Sequence, residues 1–111
     1  MKYGAKKDAN HTEIAHIFRD NGLDMIDLSG LGGGVPDLLV WAHDAWRLVE
    51  IKNVKTSYGK RGLNKRQRAW AKGWSGGPVY LIYNEEDALN LVAGKFEMLR
   101  SSLDEKEVAL N

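Results

Sequence analysis

The sequence predicts an α/β domain in the order αβββαβα, a mixed sheet with helices packed on it. Three observations predict it. Apolar residues recur at helical spacing in three segments, short runs rich in Val, Leu, Ile and Trp lie between them, and clusters of Gly, Pro and Asn punctuate the boundaries.

In chain order, Asn10 with Glu13 three residues later reads as a capping box opening a first helix. Ile14, Ile17 and Phe18 form its apolar stripe, and Asn21-Gly22 stops it. Leu23–Leu28 reads as a short strand, and Ser29–Gly34 is too rich in glycine for regular structure. Two strands follow, Asp37–Ala42 and Trp46–Lys52, joined across His43-Asp44. Asn53–Gly62 is a polar, basic loop. Leu63–Trp74 is a helix carrying Leu63, Gln67, Trp70, Ala71 and Trp74 on one face, with the two tryptophans expected in the core. Ser75-Gly76-Gly77-Pro78 breaks it, Val79–Tyr83 is a buried strand, and Glu85–Leu103 is a final helix. The stripe Leu89, Val92, Phe96 and Leu99 on that helix suits packing on the sheet, part of it suiting a dimer interface.

A chain of 111 residues is expected to form a single domain. With 43% hydrophobic and 28% charged residues it has the balance of a globular chain rather than a disordered one. The absence of cysteine excludes a disulfide framework, a thiolate zinc site and a cysteine nucleophile, and suits a reducing cytoplasm. No apolar run approaches the roughly 20 residues that span a bilayer, and the polar Met1–Asn10 does not read as a signal peptide. Gly30, Gly32, Gly33 and Gly34 lead into a strand rather than a helix, against a dinucleotide fingerprint, so no organic cofactor is expected. His11 and His16 with Glu13 do not share a helix face well enough for a metal site, and His43 belongs to the hairpin turn.

A net charge of +1 conceals a strong division along the chain. Ile51–Asn84 contains no Asp or Glu, yet holds Lys52, Lys55, Lys60, Arg61, Lys65, Arg66, Arg68 and Lys72. Solvated helix faces normally alternate in sign, so charge of one sign beside aromatics points to a polyanion such as nucleic acid. Lys55, Lys60, Arg61, Lys65, Arg66, Arg68 and Lys72 are the expected phosphate contacts, positioning rather than sequence-reading. Tyr58, in the basic loop, is either a base-stacking residue or a plain loop tyrosine.

Strand alternation places Asp37, Leu39 and Trp41 on one face, and Trp46, Leu48, Glu50 and Lys52 on one face of the next strand. A tight turn at His43-Asp44 pairs Ala42 with Ala45, and counting back brings Asp37 opposite Glu50. Opposed carboxylates repel. A divalent cation removes the conflict, since Mg²⁺ accepts one or two carboxylates together with water and phosphate oxygens. With Lys52 two residues beyond Glu50, the set suits phosphodiester hydrolysis: an activated water, and a positive donor for the developing oxyanion.

Pro36-Asp37 followed by Glu50-Ile51-Lys52, within αβββαβ order, resembles the PD-(D/E)XK nuclease superfamily and its restriction-endonuclease-like core. Within it, Glu13, the glycines before Pro36, Val49-Glu50-Ile51-Lys52 and the Gln67 helix are most similar to the stand-alone virus-type replication-repair nuclease domain, VRR-NUC. The resemblance covers about residues 10–83. It implies Mg²⁺ or Mn²⁺ held by Asp37, Glu50 and the carbonyl of Ile51, Lys52 assisting the attacking water, Glu13 helping near the metal or through water, and Gln67 orienting. It also implies a homodimer acting on branched DNA, as Holliday-junction resolvases do, encoded by a virus or mobile element and working in the cytoplasm of a bacterial host. Two alternatives stand beside this reading. Glu13 is equally explained as part of a capping box, and the whole chain as a non-catalytic nucleic-acid-binding module.

Overall fold

Residues 9–53 and 62–105 are described by the computed structural model. Within them one mixed sheet runs in the order β1-β2-β3-β4-β5. Its strands are β1 Met25–Asp27, β2 Leu38–Trp41, β3 Trp46–Ile51, β4 Val79–Ile82 and β5 Arg100–Ser101. The helices are α1 Ala9–Asp20, α2 Lys65–Lys72 and α3 Glu85–Val92, with short 3-10 turns at Phe96–Met98 and Ser102–Glu105. β1, β2 and β3 are antiparallel, β3 and β4 parallel, and β4 and β5 antiparallel. Among the described residues, no helix is long and apolar enough to cross a membrane.

The alternation expected of β2 and β3 divides the sheet into two faces. Leu38, Val40, Val49, Ile51 and Ile82 meet Ile14 and Phe18 of α1 and Ala88 and Leu91 of α3 in the main core. Burying each of the large side chains stabilises the fold by roughly 1.5–3 kcal/mol before entropy is counted. The opposite face carries Leu48, Glu50 and Leu81, with Leu63 buried before α2.

The hairpin forms as counted. Ala42 N–H donates to the Ala45 carbonyl at 3.0 Å, and His43 and Asp44 take φ of 55° and 63°. Two left-handed residues make the type of two-residue turn whose twist matches the strands, and a short polar side chain at Asp44 tolerates it. Leu38 then pairs with Val49 and Trp41 with Trp46.

Four expectations need correction. Asn10 lies inside α1 rather than capping it, because its side chain has partners across the fold: Nδ2 donates to the carbonyls of Lys52 at 2.6 Å and Tyr83 at 3.2 Å. The final helix stops at Val92, where Gly94 adopts φ +79°, and the chain then turns back to form β5. Phe96 and Leu99 of the expected stripe therefore lie beyond it. The helix expected over Leu63–Trp74 is shorter and buries none of its residues, so Trp70 and Trp74 are not core. They stack on each other at 4.9 Å, with Trp74 47% exposed.

Gly34 fixes how the glycine-rich segment meets α2. At φ +87°, a Cβ there would lie 2.5 Å from the Arg66 carbonyl oxygen, whereas Gly33 at φ +69° faces open space. Gly33→Ala is expected to cost about 1–2 kcal/mol from backbone strain alone. Gly34→Ala is expected to cost about 2–4 kcal/mol because overlap adds to strain. Urea midpoints of the two variants check the difference, and equal midpoints would refute the close approach.

Candidate active site

The end of the hairpin away from its turn gathers four of the residues singled out in the sequence. Ala42 and Ala45 are a hydrogen-bonded pair. Alternation along the ladder makes Leu38 and Val49 another, and the next position, Asp37 opposite Glu50, the non-hydrogen-bonded kind in which side chains sit closest. Asp37 Oδ2 accepts the Ile51 N–H at 2.8 Å, and the charge of Asp37 acts on the Glu50 carboxyl. Glu50 is 5% exposed and is paired on its other side with Leu81.

Gln67 closes the cluster from α2. Its Nε2 donates to Glu50 Oε2 at 2.7 Å, and its Oε1 accepts both Lys52 Nζ at 2.7 Å and the Asn64 N–H at 2.9 Å. Asn64 in turn accepts the Gln67 N–H, so the capping box that starts α2 also fixes the orientation of the amide. Both lone pairs of Oε1 and one hydrogen of Nε2 are thus engaged. Lys52 Nζ stands 3.7 Å from Glu50 Oε2 and is itself buried.

Burial pushes both carboxyls up. Glu50 rises to about 8, first through desolvation and next through the charge of Asp37, with Lys52 pulling the other way. Asp37 is raised by desolvation too, held back by the Ile51 N–H, then by His11 and Lys52. With its value raised to about 8, Glu50 keeps its proton at neutral pH.

A cation could take the place of that proton. All candidate donors are oxygens: the Asp37 and Glu50 carboxyls, and the Ile51 carbonyl. Lys52 N–H donates to Ile82 of β4 at 2.9 Å, so the neighbouring Ile51 turns its backbone toward β2. There the register places Pro36, which has no N–H to give, leaving that carbonyl outside the ladder. Two carboxylates and a carbonyl suit a hard divalent ion that keeps several waters. Among the described residues, no third His, Asp or Glu joins them in a ligand cluster.

The remaining candidates separate. Glu13 is exposed and stands two residues, about 200° of helix, from the buried His11, so α1 turns it away from Asp37. The residue of α1 that reaches this end of the sheet is His11, 5% exposed, whose Nε2 lies 3.9 Å from Asp27 Oδ2 and whose charge lowers Asp37. Its place on the stripe with Ile14 and Phe18 was the available signal. Lys65, Arg66 and Lys72 are exposed on α2, while Arg68 is half-buried and donates to the Leu63 carbonyl at 2.6 Å. Lys55, Tyr58, Lys60 and Arg61 lie outside the described residues. His43 packs against the end of α3, its Nε2 2.9 Å from the Val92 carbonyl oxygen.

Comparison with protein-family models, with curated proteins and with solved structures finds no match.

The raised carboxyls set a direction for stability against pH. Glu50 binds its proton more tightly folded than unfolded, so its contribution is complete below its ordinary value of 4.5 and is lost as pH rises through about 8. Without divalent ions, the melting temperature is expected to fall by at least ~5 °C between about pH 6 and pH 9. Glu50→Gln, which keeps a neutral side chain, should flatten that fall; a wild-type curve flat across the window would refute the raised value.

Proposed function

We propose that the chain is a metal-dependent nuclease of the PD-(D/E)XK type, near the stand-alone VRR-NUC domains, hydrolysing phosphodiester bonds in branched or structured DNA. The observation that carries this reading is the buried pair Asp37 and Glu50, with Lys52 held beside it through Gln67. Buried opposed carboxylates destabilise a sheet unless a proton or a cation lies between them. A packed apolar pair would serve a purely structural domain better.

On this reading Asp37, Glu50 and the Ile51 carbonyl would hold Mg²⁺ or Mn²⁺. When bound, such an ion supplies Lewis-acid stabilisation of the phosphoryl oxygens and a more acidic water. The chain's own groups do the positioning. Gln67 fixes the Lys52 ammonium through Oε1 and the Glu50 carboxyl through Nε2. Lys52 then presents donors to a phosphate oxygen or to the attacking water, and the preset geometry removes the cost of reorganising it during reaction. Leu81 and Leu63, buried in the sheet face and beside α2, lower the local dielectric and strengthen each of these interactions. The exposed cations of α2 lie next to this cluster and supply non-specific attraction to the phosphate backbone.

A cleavage panel of junction, flap, duplex and single-stranded DNA with Mg²⁺ and with Mn²⁺ tests the reading. Asp37→Ala, Glu50→Ala and Lys52→Ala are each expected to lower the rate by at least ~100-fold while DNA binding persists. Mn²⁺ should raise the melting temperature of the wild type and leave Asp37→Ala unmoved. No cleavage of any substrate with either ion, together with melts that ignore Mn²⁺, would instead favour a binding module.

A further inference from the structure

We propose that Trp74, stacked on Trp70 at the far end of α2, is a platform for an unpaired DNA base lying a few nucleotides from the scissile phosphate. The proposal deepens the nuclease reading and rests on it. Trp74 is 47% exposed, yet two neighbours hold its ring in place. Trp70 stacks on it at 4.9 Å between centroids and 19° between planes. Gly76 packs at the Nε1–Cε2–Cζ2 rim so closely that a Cβ there would lie 2.7 Å from Nε1. An exposed indole fixed in this way offers its remaining surface without further ordering cost on binding.

Position and charge say what would stack on it. Gln67, which bonds Glu50 and Lys52, is a neighbour of Trp70 on one face of α2, and Trp74, two residues past the end of that helix, stacks on Trp70. A strand whose phosphate lies at Lys52 would pass its neighbouring bases along that line. Lys65, Arg66, Arg68 and Lys72 line the same helix, and Ile51–Asn84 contains no acid. Cations tracking a backbone beside an aromatic platform are how single strands are held without regard to sequence. The other exposed aromatic pair, Trp41 and Trp46, lacks this complement. Asp24 stands opposite Trp41 in the register, and Asp44 occupies the adjoining turn. Unpaired bases near the cut are available in single strands, flaps and branch points, but not in intact duplex.

Binding is measured without cleavage, by fluorescence anisotropy of labelled oligo(dT), the matching RNA oligomer and a duplex of equal length, all in EDTA. Oligo(dT) should quench wild-type tryptophan emission, and the duplex should not. Trp74→Ala should lose roughly ten- to a hundredfold in affinity for oligo(dT) and less than about twofold for duplex, with Trp74→Phe close to the wild type. Lys65→Ala with Arg66→Ala should weaken both DNA forms. Equal losses on duplex and single strand overturn the proposal, as does unaltered binding by Trp74→Ala or tighter binding of RNA than of DNA. A change of elution volume in Trp74→Ala with DNA binding intact also overturns it, in favour of a second copy covering the ring. Because no cleavage is read, a dead nuclease site and a missing platform give different results.

Discussion

Everything in the candidate site depends on the register of one hairpin. A turn of two left-handed residues, His43 and Asp44, sets which residue of β3 faces which residue of β2. One more residue in that turn would move every side chain of one strand to the opposite face. Asp37 would then lose its place opposite Glu50, and the apolar set Leu38, Val40, Val49 and Ile51 would leave the core that α1 and α3 cover. The constraint that fills the core is thus the same one that opposes the carboxyls. Pro36 extends it: the residue that cannot pair at the end of β2 is the one that leaves Ile51 with a carbonyl to spare and lets its N–H turn to Asp37.

The hairpin was legible in the sequence because a turn of fixed length converts spacing into geometry. Capping was not, because the local pattern is ambiguous. Asn10 with Glu13 and Asn64 with Gln67 both fit a capping box, but only the second is one. Asn10 is drawn instead to the carbonyls of Lys52 and Tyr83, contacts of high sequence separation that no window of neighbours contains. The last helix fails for a related reason. Leu89, Val92, Phe96 and Leu99 keep helical spacing across Gly94, and periodicity does not register that a left-handed glycine has ended the helix. β5 is only two residues long, too short for alternation to show. Trp70 and Trp74 are neighbours as their spacing suggested, but Trp74 lies past the helix end and spacing does not say what covers a side chain.

Gln67 shows how much of the site is built by a helix start. Its main chain and side chain complete a cap, and the same side chain spans Glu50 and Lys52. Side chains that serve two purposes in this way are held in one rotamer by the fold rather than by the ligand, the condition for a group that must be in place before chemistry begins. His11 occupies the corresponding place on α1. It is buried near Asp27, and its charge acts on Asp37, where the sequence offered Glu13. Helical geometry decides between the two, since His11 shares its face with Ile14 and Phe18 and Glu13 does not.

Burial and function pull against each other at Glu50. Desolvation by Leu81 and its surroundings favours the neutral acid, so the bare fold is most stable when Glu50 keeps its proton. A cation that displaced the proton would have to recover that same free energy from its oxygen ligands. The deeper the pair is buried, the more strongly ion binding and folding are linked, and the more steeply ion affinity depends on pH. A shallow pair would bind an ion with little consequence for stability and little control over the dielectric. The observed depth, with Glu50 almost closed off and Asp37 partly open, leaves one side of the pair accessible while the other stays dry. On the proposed reading that asymmetry divides the labour: interior residues set the electrostatics of the reaction, and the exposed cations of α2 and the indole just past it hold the strand.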